Sequence, residues 1–231
     1  MWEKLLNQFF DRYGREARLY PTVLALLPAY LIMLTVFTSY DEAAAYVKLT
    51  FGLFLTFVFI YFGTDITRNV GKLLEMKIFG DEFYFPTTSL LLHSNTRFSQ
   101  EKRQQLCNKI CNEFNITFLT QEEETLNELE ARKRVKEVTG LMRQKLGNGR
   151  LLLQYNIRYG FWRNLIASTP FSITLCFISA IVSTLVPNQI IFFSSLCLVP
   201  IYLLLWIYRR AILNYFAYQY ADQFYLEYNV R

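Results

Sequence analysis

Four stretches of this chain are apolar for about the length of a membrane crossing, and polar stretches of uneven charge separate them. Leu19–Ser39, Ala43–Gly63, Asn164–Val186 and Gln189–Tyr208 each approach the roughly 20 residues that a helix needs to cross about 30 Å of hydrocarbon. A short tip at Tyr40-Asp41-Glu42 joins the first two, and Pro187-Asn188 joins the last two. The pattern predicts two hairpins. Pro21 suits the start of the first span, and Pro28 predicts a kink that frees a backbone carbonyl.

Between the hairpins the period becomes that of amphipathic helices. Ile66, Val70, Leu73, Leu74 and Ile78 continue the second span at helical spacing, with Arg68, Lys72, Glu75 and Lys77 between them. Gly80-Asp81 breaks that pattern. Thr87 or Thr88 is placed to cap a short helix through Ser89–His93, and Ser99 to cap one carrying Leu106, Ile110 and Phe114. Thr120-Gln121-Glu122-Glu123 reads as a capping box opening one helix from Gln121 to Leu146, which Gly147-Asn148-Gly149 ends. Ile212, Tyr215, Phe216, Tyr220, Phe224 and Tyr228 form an aromatic helical stripe beyond the fourth span, and Trp2, Leu5, Leu6, Phe9 and Phe10 form an amphipathic one before the first.

The expected fold class is therefore all-α: a membrane protein with two transmembrane helical hairpins, four spans in total, flanking a helical cytosolic domain. The expected divisions are an amphipathic segment at 1–18, the first hairpin at 19–63, the cytosolic domain at 64–163, the second hairpin at 164–208 and a cytosolic aromatic helix at 209–231.

Charge adds an orientation. Of 24 Lys and Arg residues, Lys48 alone lies near a tip; the others fall in the N-terminal tail, the middle region and the C-terminal tail. The positive-inside rule puts those three regions in the cytosol. The middle region carries sixteen Lys or Arg against twelve Asp or Glu, in a chain of net charge +5. That mild excess fits attraction to anionic membrane lipids, and alternatively an anionic ligand such as a nucleotide or oligonucleotide signal. The four cysteines, two of them inside spans, make no disulfide framework in a reducing compartment.

The residues offer little catalytic chemistry. One histidine, His93, has Cys107 and Cys111 as its only candidate co-ligands, and their i, i+4 spacing suits core packing better than a metal. Phosphate-cradling loops, nucleophile elbows and zinc-protease pairs are absent. The reading is a protein that is not an enzyme and needs no cofactor.

The third span carries the most informative polar pattern: Ser172, Cys176, Ser179 and Ser183, spaced four, three and four, with Thr169 extending the stripe. Such a stripe either lets helices pack closely or lines a narrow water-accessible path; both readings favour a homo-oligomer. The densest basic run, Arg132-Lys133-Arg134-Val135-Lys136, is flanked by Glu128, Glu130 and Glu137. It reads as a salt-bridged solvated face or as a site for an anion through Arg132, Lys133, Arg134 and Lys136.

Two segments carry a resemblance. Arg68 to Lys72 with Glu75 and Phe79, followed by Pro86-Thr87-Thr88-Ser89-Leu90-Leu91-Leu92-His93, and then Tyr159-Gly160-Phe161-Trp162-Arg163-Asn164-Leu165, resemble a bacterial family of four-helix membrane proteins. That family has P-T-T-x-L-L-x-H and Y-G-F-x-R-N-L segments. Gly80–Phe85 departs from its more glycine- and tryptophan-rich loop. The resemblance implies the four-span topology in a bacterial inner membrane. By analogy it implies the antiphage effectors whose cytosolic region senses a nucleotide-type signal.

Together these features predict an oligomeric pore or channel-like effector. Ser172, Cys176, Ser179 and Ser183 would line it, and the Arg132–Lys136 run would receive the signal. Tyr159, Gly160, Phe161 and Arg163 would couple the two, with Gly160 letting the chain turn. The alternative is a membrane-anchored interaction module that recruits or regulates a cytosolic partner protein encoded nearby.

Overall fold

The computed structural model describes residues 11–38, 45–147, 149–186 and 188–230. The amphipathic segment of Trp2 to Phe10, the tip Tyr40-Asp41-Glu42 and Pro187 lie outside the described residues. Among the described residues the regular structure is helical, with no strand. Two helices are long and apolar enough to cross a membrane, or three if a bent pair counts as one span. The four-span expectation goes beyond that number.

The chain begins with α1 (Arg12–Gly14), capped by the Asp11 carboxylate, and a π-helical turn over Arg15–Leu19. It continues through α2 (Tyr20–Ala25) into α3 (Leu27–Thr38). A 44° bend separates Arg12–Ala25 from Leu27–Thr35. It falls at Leu26, two residues before Pro28, because a proline disrupts the turn preceding it rather than its own position. Next come α4 (Ala45–Phe79), a 3-10 turn at Glu82–Tyr84 and α5 (Pro86–Ser89). They are followed by α6 (Gln100–Phe114), α7 (Gln121–Leu126), α8 (Glu128–Leu146) and α9 (Arg150–Leu185). The last two are α10 (Gln189–Ile207) and α11 (Arg209–Val230).

Several caps are where the residue pattern puts them. Ser99 accepts from the Lys102 amide, and Thr120 forms a reciprocal capping box with Glu123. Two expectations need correction. Thr87 and Thr88 do not cap α5: both are buried inside it, and Pro86 starts the helix after an extended Phe85, the position where a missing N–H costs nothing. The single helix expected over Gln121–Leu146 is broken at Asn127, whose side chain caps α8 by accepting from the Glu130 amide at 3.2 Å. A second good capping residue inside a continuous apolar pattern competes with helix propagation.

The chain forms two compact units, residues 1–74 with 160–213 and residues 75–159 with 214–231. The divisions fall inside α4, α9 and α11, whereas the residue pattern suggested 64, 163 and 209.

The second unit has a conventional apolar core. Leu106 and Ile110 of α6, Val135, Val138 and Met142 of α8, and Leu90–Leu92 pack on α11. From α11 come Tyr220, Ala221, Phe224, Tyr225 and Tyr228. Phe98 meets the Tyr225 ring edge-on at 5.6 Å, and Phe114 stacks on Tyr228. The C-terminal aromatic helix is thus part of this core rather than an appendage. Polar ties fix it: Tyr225 Oη donates to the Thr87 carbonyl, Tyr228 Oη to Glu113 at 2.9 Å, and Arg97 grips Asp222 through two nitrogens. Burial pushes the Tyr225 hydroxyl well above its usual pKa, so it stays a donor.

Candidate functional site

The first unit is held by polar contacts onto backbone carbonyls, and its prolines explain which ones. Pro21 cannot donate to Ala17, and Pro28 cannot donate to Leu24. Asn164 Nδ2 of α9 donates to the Ala17 carbonyl at 2.7 Å, and Tyr202 Oη of α10 donates to the Leu24 carbonyl at 2.6 Å. Beside the break at Leu26, Ser172 Oγ of α9 donates to the Ala25 carbonyl at 2.8 Å. The Thr22 and Thr67 hydroxyls hydrogen-bond to each other at 2.8 Å, tying α2 to α4. In an apolar surrounding each orphan carbonyl would be costly, so side chains from neighbouring helices supply the missing donors.

This seam contains the small-residue stripe. Ser172, Cys176 and Ser179 are 0% exposed and Ser183 is 2% exposed. Ser195 of α10 donates to Ser179 Oγ at 2.8 Å, and Ser183 donates to its own helix at Ala180. The stripe is therefore covered by the same chain's α2 and α10. Thr169, at its end, answers the carbonyl of Ile166 that Pro170 leaves free.

Glycines set the spacing. A methyl at Gly71 of α4 would lie 2.5 Å from Asn164 Oδ1, and one at Gly63 would lie 2.8 Å from Thr22 Cγ2. Gly160 serves the same purpose: its missing side chain admits Ala17 and the Tyr13 hydroxyl, 3.1 and 3.2 Å from where a Cβ would stand. The turn expected at Gly160 does not occur, since α9 runs through it without interruption. The apolar residues on either side keep the helical period, and the glycine acts by allowing close approach.

The other expected coupling residues divide between the units. Tyr159 belongs to the second, where its hydroxyl donates to Glu75 at 2.6 Å and its ring meets Phe85. Phe161 and Arg163 belong to the first. Phe161 packs edge-on against Trp162, and the buried Arg163 donates to Asn164 Oδ1 at 3.3 Å.

The basic run on α8 is largely spent on its own unit. Arg132 is buried against Glu128 at 2.6 Å, donates to Ser89 Oγ at 3.1 Å, and lies over the Tyr84 ring. Lys136 pairs with Glu82 and lies over Phe83, and Arg134 pairs with Glu130 at 3.4 Å. Lys133 is exposed. An arginine stacked and bridged in this way staples α8 to the 82–89 segment.

Groups of three potential metal ligands do not occur among the described residues. The His93 and Ser94 amides instead donate to the buried Glu124 carboxylate at 2.8 and 3.0 Å, while Arg103 donates to the His93 carbonyl. Cys107 has its pKa pushed up to about 11 by burial, which suppresses the thiolate. Residue patterning missed Asn164, Thr22, Thr67, Tyr202 and Glu124. For Tyr202 the signal was Pro28, which promised an orphan carbonyl, and for Asn164 it was Pro21, whose missing N–H leaves the Ala17 carbonyl free. The chain matches no family model, no curated protein and no solved structure.

Proposed function

We propose that this protein is a four-span bacterial inner-membrane protein, with both termini cytosolic, that anchors a folded helical unit at the membrane as an interaction module for a partner protein. The observation that carries this reading is the burial of the small-polar stripe. Its serines and cysteine are enclosed by helices of one chain, and their hydroxyls already serve neighbouring atoms. A sealed seam suits an anchor. The second unit supports the same reading, because three of its four candidate anion-binding cations already have acidic partners.

The conducting alternative, an oligomeric effector opened by a nucleotide-type signal, requires Ser172, Cys176, Ser179 and Ser183 to face water. Helix α9 would then have to part from α2 and α10. A voltage-sensitive dye in bacteria expressing the chain with its genomic neighbours separates the two. The anchor reading expects a stable membrane potential. Depolarisation that disappears with Ser179→Leu would overturn it in favour of the pore.

A further inference from the structure

We draw no further inference here: the strongest candidate, the groove between the last turns of α11 and the start of α9 beside Glu227, whose buried Oε2 has no hydrogen-bond partner, carries nothing because that oxygen is closed over by Gly149 and the exposed Arg150 lines the same groove, so nothing in the structure shows what would occupy it.

Discussion

The two units of this chain solve the same packing problem with opposite materials. In the first, helices meet through glycine, serine, threonine and a cysteine, and side-chain donors from α9 and α10 answer carbonyls of α2 and of the π-helical turn before it. In the second, Tyr225, Phe224 and Tyr228 fill the centre with large rings. Water rewards the burial of aromatic area. Lipid does not, because tails are as apolar as leucine, so helices there gain from close approach and from hydrogen bonds across the interface. The difference in materials is what two different solvents would select, and it is the main physical support for placing the first unit in a bilayer and the second in water.

That comparison can be broken by substitution. The largest effect is expected at the aromatic core: Tyr225→Ala should cost about 3–5 kcal/mol and melt the second unit in a near-ultraviolet thermal scan. A variant that leaves the transition in place would show that α11 is not its spine. Next is Gly71→Ala, whose methyl must displace Asn164 from its contact with α4. It should cost about 1–3 kcal/mol, read as reduced resistance of the solubilised chain to denaturing detergent.

Smaller still is Ser179→Ala, which removes one hydroxyl contact and should cost only about 0.6 kcal/mol, as such bonds do in lipid; a loss several times larger would argue that the seam depends on polarity rather than fit. The smallest effect concerns pH. The Lys145 ammonium, with help from the Tyr228 hydroxyl, holds the Glu113 carboxyl below its usual range. A carboxylate with a lowered folded pKa stabilises the fold above its unfolded value and loses that contribution as pH falls through the folded one. Because the pair with Lys145 is partly exposed, solvent screens the effect. The unfolding-temperature gap between the wild type and Glu113→Gln should therefore be small at neutral pH and shrink in acid.

The helices and most of their caps were legible in the residues, because Ser99, Thr120 and the apolar spacing of α6 and α8 are local signals. The stripe from Ser172 to Ser183 was legible as a protein-facing line, but what faced it was not. Spacing along one helix cannot say whether Ser195 or water sits opposite Ser179. Pro28 foretold an orphan carbonyl, yet the donor, Tyr202, lies far along the chain. The break at Asn127 was hidden because the apolar positions on both sides keep helical phase, and with it went the burial of Glu124 and the exposure of Leu126. Arg132 read as a surface charge because its partners Tyr84 and Ser89 come from a different segment.

The central claim is that the seam of α9 is closed by its own chain, and Cys176 is a natural reporter at its middle. A chain with Cys107→Ala, Cys111→Ala and Cys197→Ala keeps that single thiol. Treated in intact membranes with a water-soluble maleimide, it should remain unlabelled until denaturing detergent opens the helices. Rapid labelling of Cys176 in the intact membrane would place water along the stripe and contradict the account.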